Sequence, residues 1–412
     1  MSHRLLIILA CLIAVPTTKP APADDQLPSD PVFLVRLSDG SNLTGRIQRL
    51  GADRRVSIRP VEQDQPGRDF PLDDVVSFER TNATSTNLPD YPTLLFPDGE
   101  RIRAGIGKVD ETTIAAQSRA LGELAVPTIS VLGMVLVPPT EAESLEALHA
   151  AIRAETGGRE VVWLSNGDRL EGGFLGLSNE ALEFKTAAGP ATVPRRSLIA
   201  VAFDPKLVEY PRPRETFIEC KLRDGSRFGL TKPRYDQGAL QGSTRAGFAV
   251  KVPLSEVDRI TTRSNRVQYL SERAEDAVKY TGFLGSPRPH RKDSAVDGRA
   301  ILLAGQYHDR GLGTQSRTLL AYKLDASARR FQATIGLDDR AGPLGDVVFR
   351  VRVDDRVAFT SPSMTEGTKP IDLDIDLKGA RFLILETDFG ERGDVRDLAD
   401  WAEARLVRDP GP

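Results

Sequence analysis

The sequence predicts a mainly β protein, in which four small β-modules in tandem precede a C-terminal antiparallel β-sandwich of jelly-roll type. Two observations predict it. In the last third of the chain, apolar and polar residues alternate in several runs, which is typical of strands with one buried face. In the first two thirds, an Asp-Gly or Asn-Gly turn between apolar segments recurs four times, with its glycine at Gly40, Gly99, Gly167 and Gly225.

The chain begins with the features of a secretory signal peptide, over residues 1–23. Arg4 precedes an apolar run of eleven residues, Leu5 to Val15, and the small-residue site Ala21-Pro22-Ala23 follows. The run is shorter than the ~20 residues that a membrane-spanning helix needs. We therefore expect a secreted protein that is exported to the periplasm or the cell surface. It would have a flexible leader at 24–31 and no transmembrane segment after cleavage.

Composition narrows the choice of function. The formal net charge is −3, and loss of Arg4 and Lys19 with the signal peptide would bring it near −5. This charge argues against nucleic acid as a partner, because nucleic-acid binding needs a clustered basic face. Of the two cysteines, only Cys220 lies beyond the signal peptide, so an intramolecular disulfide is excluded.

Each of the four turns belongs to one unit with a shared pattern. An apolar strand, the turn and a second strand are followed by a proline-marked strand, as at Val193-Pro194 and Val252-Pro253, and by an apolar closing strand. The Asp-Gly and Asn-Gly pairs predict type I′ turns with positive φ at both central residues. The pattern is similar to that of SH3-like or Sm-like barrels. Because units of this size bury little core alone, we expect them to pair through strand edges. Their predicted bounds are 32–82, 91–139, 159–205 and 214–264.

A linking helix is predicted at residues 140–158, between the second and third units. Thr140 and Glu143 have the spacing of a capping box, and apolar residues from Leu145 to Ile152 form one stripe. Gly157-Gly158 ends the pattern. We expect this helix to pack across its two neighbouring units.

The sandwich is predicted at residues 266–409, where five segments occur in a recognisable order. They are Gly311-Leu312-Gly313-Thr314, Tyr322-Lys323-Leu324, Phe331 to Asp339, Val348 to Val351 with Ser361, and Ala399-Asp400-Trp401-Ala402. In this order they resemble the NPCBM family of carbohydrate-binding modules. The resemblance implies a galactose-binding-like β-sandwich, often attached to glycoside hydrolases, and a glycan or polysaccharide as partner. The chain departs from the family pattern at Leu398, where His is frequent, and at Asp354-Asp355, where Asp-Gly is frequent.

Four candidate binding residues lie at or near these motifs. Sugars are held by aromatic faces and by polar side chains that bond their hydroxyls. Trp401 is predicted either to stack on a sugar or to fill the core and lock the last strand. Tyr307, His308 and Arg317 flank the glycine motif and are predicted to rim a site.

Three acidic residues complete the candidate site. Asp338 and Asp339 follow the Phe331 strand, and Asp400 lies beside Trp401. These carboxylates could bond sugar hydroxyls or hold a calcium ion together with loop carbonyls. Acidic pairs in loops also form turns, so a turn-forming role stays open for Asp338-Asp339.

The sequence lacks the motifs of common catalytic sites. None of the four histidines has an HxxxH or HxH partner, and Gly-x-Ser-x-Gly is absent. The sequence therefore predicts a secreted non-catalytic carbohydrate-binding protein. The alternative is a structural or protein-interaction scaffold of the bacterial cell envelope, with envelope proteins as partners, and the aromatic content of 6% favours it. An enzyme would need a carboxylate pair or a metal in a cleft.

Overall fold

The computed structural model describes residues 30–62, 65–81, 91–282 and 288–409. The predicted signal peptide and most of the predicted leader lie outside these ranges. The described chain is mainly β, as the sequence predicts, and contains one α-helix, α1 (Ala142–Arg153). No helix of the described residues is long and apolar enough to cross a membrane.

Modules 1 and 2 contain strands β1 to β11. The strands of module 1 are β1 (Phe33–Leu37), β2 (Asn42–Leu50), β3 (Arg55–Pro60), β4 (Arg68–Pro71) and β5 (Val75–Arg80). The strands of module 2 are β6 (Thr93–Leu95), β7 (Arg101–Arg103), β8 (Gly105–Val109), β9 (Thr113–Ser118), β10 (Gly122–Pro127) and β11 (Gly133–Val135).

Modules 3 and 4 contain strands β12 to β21. The strands of module 3 are β12 (Glu160–Leu164), β13 (Arg169–Leu177), β14 (Ala181–Thr186), β15 (Gly189–Pro194) and β16 (Leu198–Ala202). The strands of module 4 are β17 (Phe217–Leu222), β18 (Arg227–Asp236), β19 (Ala239–Thr244), β20 (Ala249–Pro253) and β21 (Val257–Arg263).

The modules share one pattern of antiparallel pairing. In module 1, β1 lies between β2 and β5, and β3 and β4 continue the meander from β2. In the same way, β12 lies between β13 and β16, and β17 lies between β18 and β21. Module 2 differs because its second strand is interrupted at Ala104 and forms β7 and β8. Whether the units are SH3-like or Sm-like barrels stays a prediction.

The turn type predicted for the modules is wrong in three of the four. Only Asp98-Gly99 has positive φ at both residues, at 59° and 74°. At the other three turns only the glycine has positive φ, as at Gly40 with 88°. At these turns the Asp or Asn before the glycine accepts a hydrogen bond from the residue after it. In module 1, Asp39 Oδ1 accepts the Ser41 N–H at 2.8 Å. This geometry is that of a type I turn followed by a left-handed glycine.

The modules join through their strand edges, as expected. Closing strand β21 of module 4 pairs with closing strand β5 of module 1, with Ile260 opposite Phe78. Closing strand β11 of module 2 pairs with closing strand β16 of module 3, with Met134 opposite Val201. One apolar cluster extends through all four modules, so each unit completes its core with the help of its neighbours.

Helix α1 is shorter than predicted. Its N-cap is Glu141 rather than Thr140, no side chain caps it, and it ends at Arg153. The side chain of Glu143 in the predicted capping box lies outside the described part. The apolar stripe of α1 covers the junction of β11, β12 and β16 with the cluster Leu145, Ile152, Val135, Val161 and Ala200.

The C-terminal domain contains strands β22 to β35. The first seven are β22 (Val267–Tyr269), β23 (Ala277–Tyr280), β24 (Arg291–Lys292), β25 (Ile301–Leu303), β26 (Gln306–His308), β27 (Gly311–Thr314) and β28 (Thr318–Lys323). The others are β29 (Ala328–Leu337), β30 (Asp346–Val353), β31 (Arg356–Thr360), β32 (Met364–Thr365), β33 (Ile371–Asp376), β34 (Phe382–Phe389) and β35 (Ala399–Arg408).

These strands form a β-sandwich of two antiparallel sheets. Sheet one has the order β24-β27-β35-β29-β33, with β22 paired to β35, and sheet two has the order β23-β28-β34-β30-β31, with β32 paired to β30. The hairpin β25–β26 pairs with neither sheet, but Ile301 and Leu303 of β25 pack against Ala402 of sheet one. The Asp354-Asp355 departure does not disturb the β30–β31 hairpin, because Asp354 adopts φ 51° and its carboxylate accepts the N–H groups of Arg381 and Phe382.

The sandwich is docked on modules 1, 2 and 4. Val76 of β5 packs against Val267, Tyr269 and Val407 of the sandwich. Beside this cluster, Arg259 of β21 pairs with Glu403 of β35 at 3.0 Å. The interface therefore combines an apolar centre with buried ion pairs.

Candidate functional site

A cleft lies at the end of the sandwich where the β27–β28 and β34–β35 connections meet. Its volume is about 200 Å³. Segments far apart in the chain contribute to it, because strands β27 and β35 are neighbours and bring their flanking loops together. The lining residues are Arg288, Asp297, Arg299, Gln315, Arg396, Asp397 and Leu398.

Six of the seven residues that line this loop-end cleft have polar or charged side chains, and several of these side chains are held in place by hydrogen bonds. Arg299 Nε donates to Asp297 Oδ2 at 2.8 Å, and the guanidinium lowers the pKa of Asp297 against the opposing effect of burial. Arg396 has φ 59° and its side chain donates to the carbonyl oxygens of Arg340 and Ala341. Non-glycine residues in this conformation cluster at functional sites, where the surrounding structure enforces them.

Two hydrogen-bond acceptors line the cleft, the Gln315 side-chain oxygen and the Asp397 carboxyl group. The Gln315 Oε1 atom is buried and has no hydrogen-bond donor among the described residues. Asp397 accepts the Asp346 N–H at 3.0 Å and the Ser316 hydroxyl. Burial, aided by the negative charge of Asp346, raises the pKa of Asp397 to about 6. A ligand hydroxyl could donate to either group.

Asp338 and Asp400 lie together beneath the cleft rather than in it. Asp338 is held by Arg340, whose Nε donates to Oδ1 at 2.7 Å and whose Nη2 lies 2.5 Å from Oδ2. Asp400 is fully buried, and its oxygens accept no hydrogen bond from the described residues. Burial raises the pKa of Asp400 well above its usual range, and the neighbouring Asp338 carboxylate adds to this effect. A protonated Asp400 can donate to Asp338.

Residues 294–303 cover Asp400, and their close packing requires glycine at positions 313 and 336. A Cβ at Gly313 would overlap the backbone of Ala295, and one at Gly336 would lie 2.9 Å from Leu303. The glycines therefore let residues 294–303 lie directly on the outer face of sheet one. The cover leaves Asp400 no route to a ligand, so its predicted contact with a sugar hydroxyl does not fit its position.

The three predicted calcium ligands do not converge. Asp339 turns away from Asp338 and accepts the N–H groups of Ala304 and Gly305 at 2.8 and 2.6 Å, which fixes the β25–β26 turn. Asp338 is occupied by Arg340. Among the described residues, no group of three His, Cys, Asp or Glu side chains could hold a metal ion.

Trp401 occupies the core, the second of its two predicted roles. Its exposed fraction is 0 %, and its ring lies 5.1 Å from that of Phe349 and 6.3 Å from that of Phe331. Its Nε1 donates to Thr387 Oγ1 at 3.1 Å. A ring buried between two sheets has no face free for a sugar, so the stacking role does not fit this structure.

Tyr307 and His308 lie at the interface with the modules, away from the cleft. The Tyr307 carbonyl accepts Lys221 Nζ at 3.2 Å, and the next residues anchor the same contact, because Asp309 pairs with Arg101 at 3.0 Å. Burial lowers the pKa of His308. The predicted rim is thus a docking segment, although Tyr307 is 44 % exposed.

Arg317 lies on the outer side of sheet two. It pairs with Glu386 at 3.3 Å and with Asp388 at 3.4 Å, and Arg350 pairs with the same two acids. These contacts place Arg317 in a surface ion-pair network rather than among the residues that line the cleft.

Sequence reasoning missed most of the cleft. Its lining comes from short loop segments without a pattern of their own, so periodicity could not find them. One signal was present, because Leu398 stands where the resembled family frequently has His, and Leu398 lines the cleft. A second, wider groove of about 500 Å³ lies at the opposite end of the sandwich, between the 353–356 and 376–380 turns, and is lined by residues of exposed turns.

A scan against family models matches residues 266–407 to the NPCBM/NEW2 domain. Residues 266–407 form an NPCBM domain. The match covers the sandwich and its loop-end cleft, whereas the modules lie outside it.

One curated protein is similar to part of the chain. The chain is 29% identical over 135 residues to a Renibacterium salmoninarum protein named "Putative endo-alpha-N-acetylgalactosaminidase". That similarity covers 30% of this chain but 9% of the relative, so the chain spans a small part of the relative's length.

Solved carbohydrate-binding modules are also similar. A CBM51 of Clostridium perfringens GH95, solved with methyl-galactose, is 25% identical, with 34% of this chain and 99% of that chain covered and a TM-score of 0.32. Tandem CBM51 modules of a family 98 glycoside hydrolase from Streptococcus pneumoniae are 14% identical, with 77% and 88% covered and a TM-score of 0.31.

Proposed function

We propose that the chain is a secreted, non-catalytic carbohydrate-binding protein whose NPCBM domain binds a glycan in the loop-end cleft. The observation that carries this proposal is the position of the cleft. Its wall at Arg396, Asp397 and Leu398 leads directly into the Ala399-Asp400-Trp401-Ala402 motif of a carbohydrate-binding domain family.

The chemistry of the cleft supports a sugar ligand. The guanidinium donors, the Gln315 oxygen, which accepts no hydrogen bond from the described part of the chain, and the Asp397 carboxyl match the donors and acceptors of sugar hydroxyls. The volume of about 200 Å³ is below the ~300–1,000 Å³ of sites for drug-sized ligands. We therefore expect one terminal sugar ring to enter, with the remainder of the glycan outside.

The buried carboxyl pair Asp338 and Asp400 cannot carry out hydrolysis, and the two carboxyl groups that line the cleft are already held by protein partners, Asp297 by Arg299 and Asp397 by Ser316 and the Asp346 N–H. Glycoside hydrolysis needs two carboxyl groups that flank the scissile bond. Asp400 is buried under residues 294–303 and Asp338 is held by Arg340, so this pair does not reach a substrate.

A structural or protein-interaction role in the cell envelope is the second candidate. The observation that favours it is the edge-to-edge pairing of the modules through β5–β21 and β11–β16, which builds one continuous support beneath the sandwich. In this candidate the sandwich would contact an envelope protein instead of a glycan.

A glycan array with the chain from Asp24 to Pro412 tests the proposal. The panel would include galactose-, N-acetylgalactosamine- and N-acetylglucosamine-terminated glycans. We expect specific binding that Gln315→Ala and Arg299→Ala each weaken at least tenfold. The matched control is Arg356→Ala, which changes an exposed arginine at the opposite end of the sandwich. Absence of binding by the folded wild-type chain would favour the second candidate, and pull-down from envelope extract would then follow.

A further inference from the structure

The outer face of module 1 carries three arginines, on two adjacent strands, that form no ion pair within the described residues. Arg46 on β2 and Arg55 and Arg59 on β3 alternate with the buried residues Ile47, Val56 and Ile58. Because side chains of a strand alternate between faces, the three arginines share the solvent side, which we call the arginine face. Arg55 and Arg59 are exposed and Arg46 is half-buried.

The arginine face is electrostatically unfavourable as it stands. Arg46 and Arg59 are directly opposite each other in the β2–β3 register, and like charges in this position destabilise a sheet. None of the three forms an ion pair within the described residues, although Arg46 Nε donates a hydrogen bond to the Asp30 carbonyl oxygen at 3.0 Å. By contrast, nearby Arg49 pairs with Asp53 at 2.7 Å.

The other modules show that the fold does not require these arginines. The cross-strand pair equivalent to Arg46–Arg59 is Gly105–Gln117 in module 2, Gly173–Lys185 in module 3 and Thr231–Ser243 in module 4. The residue equivalent to Arg55, four residues before the equivalent of Arg59, is Thr113, Ala181 and Ala239 in turn. Four copies of one unit thus share their pairing, and one copy alone carries the three arginines.

We propose that the arginine face of module 1 binds an anionic polysaccharide, whose carboxylate or sulfate groups pair with Arg46, Arg55 and Arg59. Opposite residues lie ~5 Å apart across the two strands, and Arg55 and Arg59 lie ~13 Å apart along β3 at ~3.3 Å per residue. This spacing suits a linear chain with repeated charges. The other side chains on the face, Thr44, Arg49, Ser57 and Asp69, are polar or charged and none is aromatic, whereas single-stranded nucleic acid is held largely by stacking on aromatic rings.

The test measures the affinity of the chain from Asp24 to Pro412 for heparin and for polygalacturonate, at low and at physiological ionic strength. The variant is Arg46→Gln, Arg55→Gln and Arg59→Gln together. The matched control removes three exposed arginines of modules 3 and 4, with Arg159→Gln, Arg196→Gln and Arg214→Gln. The two triple variants have the same net charge, so a difference between them reports the place of the charges.

We expect the face variant to bind at least one of the two polysaccharides roughly a hundredfold more weakly than the wild type at low salt. The magnitude follows because each arginine near an anionic surface strengthens binding about fivefold and the variant lacks three. The control should lose less than threefold. The face variant should also be at least as stable as the wild type in a thermal scan, because it removes a like-charge pair. Gln315→Ala in the cleft should leave this binding unchanged, so the result does not depend on the proposed glycan site.

Three results would overturn the proposal. Equal losses in the two triple variants would mean that net charge alone attracts the polymer. If the wild type binds neither polysaccharide at low salt, the face does not bind anionic polysaccharide. Binding of single-stranded DNA of matched charge more tightly than of either polysaccharide would assign the face to nucleic acid instead.

Discussion

Replacing Asp397 by Asn should stabilise the sandwich at neutral pH and flatten the pH dependence of its stability. Asp397 is buried in the wall of the cleft, and burial raises its pKa to about 6 from an ordinary 3.8. An Asn side chain keeps the same shape. Its Oδ1 can accept the Asp346 N–H, and its Nδ2–H can donate to the Ser316 hydroxyl.

The magnitude follows from the two pKa values of Asp397. Because the folded state holds the proton more tightly, protonation stabilises the fold fully below about pH 3.8, and this contribution is lost as the pH rises through about 6. The difference corresponds to ~3 kcal/mol. The amide of Asn carries no charge that folding must bury. We therefore expect the free energy of unfolding of Asp397→Asn to exceed that of the wild type by ~1–3 kcal/mol at pH 8 and to equal it near pH 4.

Urea unfolding at several pH values between 4 and 8 measures this effect. The chain has two tryptophans, so a Trp163→Phe background leaves Trp401 as the fluorescent reporter of the sandwich. Asp355→Asn, at an exposed turn, is the control for loss of one negative charge. The reasoning is refuted if Asp397→Asn and the wild type keep the same difference in the free energy of unfolding at every pH.

Three further predictions test the packing around the site. Trp401→Ala should lower the free energy of unfolding of the sandwich by ~3–5 kcal/mol, because it empties a buried aromatic site; scanning calorimetry would measure it, and an unchanged transition would contradict the core role. Asp309→Asn should weaken the docking of the sandwich on the modules by ~3 kcal/mol, because Arg101 and Lys221 lose a largely buried partner; limited proteolysis between residues 263 and 266 should become faster, while Asp355→Asn should leave it unchanged. Gly313→Ala should lower the free energy of unfolding by ~1–3 kcal/mol, because the added methyl group would overlap Ala295. Urea unfolding should show a smaller loss for the control Gly173→Ala, where the nearest atom to the added carbon is 3.9 Å away.

The sequence predicts what depends on local pattern. The alternation around Phe331 and Val347 predicted strands β29 and β30, and the spaced turn glycines predicted four units of similar pattern. The turn type was predicted less well, because Asp and Asn can accept a hydrogen bond from the backbone two residues on and thereby favour a type I turn at the same dipeptide.

The candidate site depends on contacts that no local pattern encodes. Arg299, Gln315 and Asp397 meet only because β27 and β35 pair with each other, and single-sequence reading does not give that register. The sequence predicts that Tyr307 and His308 rim a ligand site, because they are an aromatic residue and a histidine beside glycines. In the structure, that segment contacts the modules. The glycines allow residues 294–303 to pack closely on sheet one.

The central claim is that the NPCBM domain binds a glycan in the loop-end cleft. The most direct test is the crystal structure of the chain soaked with the glycan that binds best in the array. The account predicts a terminal sugar ring within hydrogen-bond distance of Arg299, Gln315 and Asp397. A sugar bound beside Tyr307, in the groove at Arg356 or on the arginine face, with an empty cleft, would contradict it.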